Sequence, residues 1–299
     1  MSEMTGFRSG FVGILGRPNV GKSTLLNRLC GEKLAIISDK PQTTRNRILG
    51  VLHQEGSQIV FVDTPGMHET GKALNRYMQA VIAGVAGDVD IALYMVDATR
   101  AQGREDELAL AMLPERPEVP VFLVVNKVDQ AGSQAAAERA GELTGRYGFA
   151  GVAAVSALNG EGTGKLVEMI LGALPEGVPY FPENMVTDQP LGFRLAEIVR
   201  EKLFDLTREE IPYSIAVVVE NIFTRPDGLM EVGATIFIEK ESQKGIIIGK
   251  GGKMLRDIGS RARHEMESQL GKKVFLQLWV KVKKGWTDRE GLLRQMGYE

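Results

Sequence analysis

Between an apolar run, Phe11 to Leu15, and a helical pattern, Thr24 to Leu29, the chain reads Gly16-Arg17-Pro18-Asn19-Val20-Gly21-Lys22-Ser23. No other stretch limits the fold so tightly. It fits G-x-x-x-x-G-K-[ST] in the strand–loop–helix setting that this pattern requires. The glycines let the backbone curl so that its N–H groups converge on a phosphate, and the helix that follows points its positive dipole end at the same anion. Lys22 brings a positive charge to the β- and γ-phosphates. Ser23 offers a hydroxyl to Mg²⁺, and Thr24 completes the cradle at the start of the helix.

A second run, Val121 to Val125, ends in Asn126-Lys127-Val128-Asp129. N-K-x-D at the end of a strand reads guanine. Guanine presents N1–H and an exocyclic amine side by side, and the Asp129 carboxylate can accept from both. Each such charge-assisted bond is worth about 1.5–3 kcal/mol. Adenine offers no such pair and would leave the carboxylate unpaired, so the site selects GTP and GDP over adenine nucleotides.

Three further pieces follow in the order of a GTPase. Asp63-Thr64-Pro65-Gly66 closes the strand Ile59 to Val62. Asp63 is placed to hold Mg²⁺ through a water and the Gly66 N–H to meet the γ-phosphate. Thr43 or Thr44, in the polar loop Lys40 to Arg45, closes over the same ion, with Thr44 preferred. Ser156-Ala157, after Gly151 to Val155, offers backbone N–H groups to guanine O6. A doubly wound sheet brings the carboxyl ends of these strands to one rim. The expected metal ligands are Ser23, Thr44 and Asp63.

Met67 follows Gly66, where signalling GTPases carry a glutamine that orients the attacking water. A thioether cannot do this, so intrinsic hydrolysis is expected to be slow. His68 is a weak substitute, and Arg45 reads as a solvated loop charge rather than an arginine finger.

The chain has 299 residues, enough for two domains, and a single cysteine, Cys30, which excludes an internal disulfide. No apolar run reaches the ~18–20 residues that span a bilayer, the polar N-terminus lacks a signal-peptide core, and a reducing cytoplasm is the expected home. The net charge of −2 hides a gradient: residues 244–284 hold 11 Lys and Arg against three Asp and Glu. Such an excess suits an anionic partner, nucleic acid foremost.

The boundary lies in the proline-rich segment after Leu174. The reading gives a GTP-binding domain over 1–178, a linker over 179–189 and a second domain over 190–299. In the second domain a helix carrying Leu195, Ile198, Val199, Leu203 and Leu206 precedes two strands, Ile215 to Val219 and Ala234 to Ile238. Next come Ile248-Gly249-Lys250-Gly251-Gly252-Lys253, a helix with Leu255, Ile258, Ala262, Met266 and Leu270 on one face, and a last strand, Val274 to Val282. Trp279, in that alternating strand, reads as core; Trp279 and Trp286 are also the two residues able to stack on bases. Lys272, Lys273, Lys281, Lys283 and Lys284 are either phosphate contacts or solubilising charges.

This element order, with I-G-x-G-G between two helices, resembles a type II KH domain. The glycine loop would let a sugar–phosphate backbone approach, beside a groove that takes about four unstacked bases. The whole chain is then similar to the bacterial Era GTPase family. The likeness rests on Gly16 to Ser23, Gln42-Thr43-Thr44-Arg45, Asp63 to Gly66, Asn126 to Asp129, Gly249 to Gly252 and the tail from Trp286 to Tyr298. It implies an α/β P-loop GTPase domain followed by a smaller α+β KH domain, binding to the 3′ end of small-subunit ribosomal RNA, and a role in maturing the 30S subunit precursor. It implies a cytoplasmic monomer with peripheral inner-membrane contact. Relatives with this P-loop use the residue at Asn19 to hold a K⁺ ion that acts as an arginine finger. The residues assigned to hydrolysis are thus Lys22, Thr44, Gly66 and Asn19. Two other readings stay open: a signalling-type GTPase whose second domain binds protein, and an RNA-binding module with GTP as a structural ligand.

Overall fold

The computed structural model describes residues 6–66, 72–114 and 118–298. They form two compact units, one holding 6–35, 44–66 and 78–188, the other 36–43, 72–77 and 189–298.

The first unit alternates strands and helices: β1 (Arg8–Leu15), α1 (Lys22–Cys30), β2 (Ile48–Gln54), β3 (Ser57–Asp63), α2 (Ala73–Asp88), β4 (Ile91–Asp97), α3 (Arg104–Leu110), β5 (Val121–Asn126), α4 (Val128–Thr144), β6 (Gly151–Val155) and α5 (Thr163–Ala173). The sheet order is β2-β3-β1-β4-β5-β6, with β2 antiparallel to β3 and every other pair parallel. Strands covered on both faces read as continuous apolar runs, and all seven residues of β4 are buried. Ile91, Leu93 and Met95 pack towards α1 and α5 with Leu25, Leu26, Leu166 and Ile170. Ala92, Tyr94 and Val96 pack to the other side with Ile82, Val85, Ala109 and Leu143. β1 pairs with β3 on one side and β4 on the other. The chain order therefore reverses at β1, and a doubly wound sheet takes its ligand at such a reversal, beyond the carboxyl ends of the strands.

The proline-rich segment is pinned to the first unit rather than hanging free. Tyr180 and Phe181 N–H donate to Gln58 Oε1 (2.8 and 3.0 Å), Val51 N–H donates to the Val186 carbonyl (2.9 Å), and Thr187 Oγ1 donates to the Leu49 carbonyl (2.6 Å).

The second unit runs α6 (Leu191–Leu206), β7 (Ala216–Thr224), β8 (Met230–Ile238), α7 (Glu241–Ile248), α8 (Lys253–Leu270) and β9 (Val274–Val282). Its sheet order is β7-β8-β9, with β8 and β9 parallel, and its helices cover one face. The expected element order is therefore present. Beyond it the tail folds into a 3-10 turn (Trp286–Asp288) and α9 (Glu290–Gln295). Trp286 is wholly buried, donates from Nε1 to the Ser214 carbonyl (3.0 Å) and stacks on Tyr298. Trp279 departs from its expected core position: it is 43% exposed. β9 shows its alternate residues to the sheet face opposite the one that the unit's described helices cover.

Candidate guanine-nucleotide site and glycine-loop groove

The loop after β1 wraps the Lys22 ammonium, which donates to the Gly16 and Arg17 carbonyls (2.9 and 3.0 Å). Burial pushes the Lys22 pKa down to about 8, against the pull of Asp63 and Glu105. Asn19 is exposed and takes a left-handed conformation at φ 61°. Pro18 and Val20 are buried, and Thr24 is half-buried in the first turn of α1. A Cβ on Gly21 would lie 2.4 Å from Asn126 Nδ2, so the guanine motif packs directly on the phosphate loop.

The expected cation ligands converge. Ser23 Oγ donates to Asp63 Oδ2 (2.6 Å) and lies 2.8 Å from Thr44 Oγ1, which also reaches Asp63 Oδ2 (3.4 Å). Asp63 Oδ1 is buried with no hydrogen-bond partner. Burial raises the Asp63 pKa to about 6, although Lys22, Ser23 and Thr44 all oppose the shift. A desolvated carboxylate with one orphaned oxygen, beside two hydroxyls, fits a small hard cation bound by oxygen ligands. Thr43 is separate: its hydroxyl donates to the Lys40 carbonyl (2.6 Å). Thr64 Oγ1 donates to the Ile14 carbonyl (2.8 Å), and Pro65 and Gly66 are buried. A Cβ on Gly66 would sit 2.7 Å from the Pro18 ring.

At the base end, Asn126 Nδ2 donates to the Val20 carbonyl (2.7 Å), and the Ala157 N–H donates to Asn126 Oδ1 (2.9 Å). One side chain thus joins three motifs. The Ser156 N–H donates to the Glu161 carbonyl (2.9 Å). Both N–H groups expected to meet guanine O6 are therefore engaged within the protein. Asp129 is exposed at the start of α4.

Three polar residues outside the motifs belong to the site. Asp97, at the end of β4 and 1% exposed, binds Lys127 Nζ at 2.7 Å and lies 3.7 Å from Arg17 Nη2. Burial would raise its pKa, but bonds from Lys127 and Thr99 hold it below the usual value. Arg17 Nε also lies 3.1 Å from Asp106. Arg28, on α1, donates to the Ala157 carbonyl (3.4 Å) and to the Leu158 carbonyl.

In the second unit, Gly249, Gly251 and Gly252 all have positive φ (70°, 60° and 76°), so the loop between α7 and α8 needs residues without Cβ. A Cβ on Gly251 or Gly252 would meet nothing within 4 Å, which leaves that side open to an approaching backbone. Lys250 and Lys253 are exposed and Ile248 is half-buried. Beside the loop runs a groove of about 570 Å³, bounded by Gly251, Leu255, Arg256, Phe275 and Leu278 among others.

Residues 11–127 match the family described as 50S ribosome-binding GTPase, and residues 210–287 match the KH domain. The GTPase Era of Geotalea uraniireducens is 49% identical over 293 residues, 98% of either chain. That of Staphylococcus haemolyticus is 45% identical over 295 residues, 99% of this chain and 98% of its own. The chain belongs to the Era GTPase family. Two solved Era structures superpose with TM-scores of 0.94 at 42% identity, covering 98% of this chain and 99% of theirs. One is Era in complex with MgGDPNP and nucleotides 1506–1542 of 16S ribosomal RNA. The other is a variant of Aquifex aeolicus Era bound to GDP·AlF4⁻.

The Era assignment bears out the expected fold, a P-loop GTPase domain with a mostly parallel sheet followed by a KH domain. Met67 and His68 lie outside the described residues. Arg45 corrects the sequence reading: it is 2% exposed, not a solvated loop charge. Among the described residues no helix is long and apolar enough to cross a membrane.

Proposed function

We propose that this Era-family chain is a GTP-hydrolysing switch that binds the 3′ end of small-subunit ribosomal RNA and assists maturation of the 30S subunit precursor. One observation carries the reading: the chain aligns end to end with an Era solved together with a GTP analogue and a 16S ribosomal RNA segment.

The residues fit the parts such a switch needs. Residues Gly16 to Thr24 cradle the phosphates, and Asn126, Lys127 and Asp129 read guanine, with Ser156 and Ala157 closing the base end. Ser23, Thr44 and Asp63 would hold Mg²⁺; their clustering supports Thr44 over Thr43. An ion held there would supply positive charge to offset that of the phosphates. Lys22 supplies a second, fixed positive charge that is strong because it is desolvated. The Gly66 N–H faces the γ-phosphate. Asn19 would help to hold a K⁺ ion that adds positive charge beside the phosphates, and equal GTP turnover in K⁺ and Na⁺ would rule this out. Ile248 to Lys253 take the RNA backbone. A monomeric, cytoplasmic protein with peripheral inner-membrane contact completes the reading, on the family likeness alone.

The test is RNA affinity at fixed salt for a short 3′-terminal 16S strand. It compares GTP-analogue and GDP states, in the natural chain and in the double variant Lys250→Asp/Gly251→Asp. Binding in the GTP-analogue state that the double variant loses is the expected result. Equal weak binding in all four cases would leave a GTPase whose second domain has another partner.

A further inference from the structure

Among the described residues no helix of the second unit covers the outer face of its sheet, yet that face carries aromatic rings. β9 points Leu276, Leu278, Val280 and Val282 into the core. By strand alternation Phe275, Gln277, Trp279 and Lys281 face the other way. Phe275 and Trp279 are each 43% exposed, and Phe223, across the sheet on β7, is 59% exposed. Trp279 is not loosely placed. It sits beside Thr235 in register, and its Cζ3 lies 3.1 Å from where a Cβ on neighbouring Gly233 would be, a space it shares with the Asn221 side chain.

We propose that Phe275 and Trp279 form a second stacking site for the RNA strand as it leaves the glycine-loop groove. The proposal rests on the reading of that groove as the RNA site. Three observations carry it. Phe275 belongs to both surfaces: it lines the groove and stands four residues, about 13 Å, from Trp279 on the same side of the edge strand β9. The aromatic strip is thus continuous with the groove. The charge is right, since residues 272–284 contain five lysines and no acidic residue. The acidic groups on this face are already engaged. Glu220 accepts from Thr235 (2.8 Å) and Lys281 (3.3 Å), and Glu231 is paired with Arg225, whose guanidinium lies 6.0 Å from the Phe275 ring centre. Aromatic planes interleaved with cations suit an unpaired strand, because every base has a face to stack and the backbone follows the positive charge.

The chain supplies its own reporter. It has two tryptophans, of which Trp286 is wholly buried, so quenching of tryptophan emission by RNA reads Trp279. The probes are a 12-nucleotide strand matching the 3′ end of 16S ribosomal RNA and the tetranucleotides within it, titrated into the full chain with a GTP analogue at fixed salt. The 12-mer should quench emission. Trp279→Ala should weaken the 12-mer about tenfold and leave the best tetranucleotide within twofold. Trp279→Phe should recover most of the loss. Since Trp279 is outside the core, unchanged Trp286 emission certifies the fold of the variant. Equal 12-mer affinity in Trp279→Ala, or a bound 12-mer without quenching, would overturn the proposal and give this face to a different partner. Failure of every RNA length to bind the natural chain would defeat the groove reading itself, and the proposal with it.

Discussion

The two ligand surfaces of this molecule are finished to different degrees. At the nucleotide site most of the working groups are buried and hydrogen-bonded within the protein: Lys22, Asp63, Asp97 and Asn126 are 6%, 0%, 1% and 3% exposed, with Asp129 left open to the incoming base. At the glycine loop Lys250 and Lys253, with Phe275 at the side of the groove, stand in solvent. The contrast follows from what each must read. One base and one chain of phosphates are told apart by hydrogen bonds and charge, which gain strength only where water is excluded. A single strand is followed by backbone shape and stacking, which need an open surface. Damage should therefore be steep in the first unit, where removing one group strands another, and shallow in the second, where it removes only contact.

Lys22→Ala should give the largest effect, weakening GTP and GDP by about a thousandfold, as loss of two charge-assisted phosphate bonds implies. RNA affinity of the variant should no longer rise when a GTP analogue is added; a rise equal to that of the natural chain, seen in the same titrations, would contradict the switch reading. Asp129→Asn comes next. It should move preference from guanine to xanthine nucleotides by about two orders of magnitude, because the amide now pairs with a carbonyl instead of an amine. Competition between GTP and XTP measures this, and a retained preference for GTP contradicts the base assignment. The smallest effect is in pH. The Lys22 pKa lies at about 8, below that of the ordinary amine, and phosphates beside it would favour the charged form. Binding therefore takes up a proton above pH 8, and GDP affinity should fall about tenfold from pH 7 to 9. A flat profile in fluorescent-GDP titrations would mean that Lys22 stays charged in the empty site.

The nucleotide site was legible in the sequence because its groups come in short strings at strand ends, where chain order alone brings them to one rim. What the strings could not give were single residues whose partners are remote. Asp97 meets Lys127 thirty positions on, and Arg28 reaches Ala157 across 129. Arg45 reads as a loop charge because burial is a property of surroundings the local string does not contain. In the second unit the order of elements was legible from hydrophobic periodicity, and β9 from its alternation. Alternation fixes two faces without saying which is covered. Leu276 and Leu278 took the helix-covered face, and Trp279 was left on the other. The tail was harder still. Trp286 and Tyr298 meet across an irregular spacing that matches neither helix nor strand.

Asp97 has one more consequence. It holds Lys127 of the guanine motif and reaches Arg17 of the phosphate loop, while Asn126 ties both to the loop at Ala157. One carboxylate and one amide thus couple the end that reads the base to the end that holds the phosphates, so a disturbance at either is felt at the other. An outside factor that hastens exchange has one obvious lever: an anion offered to Lys127 or Arg17 in place of Asp97 would loosen both ends of the nucleotide at a single stroke.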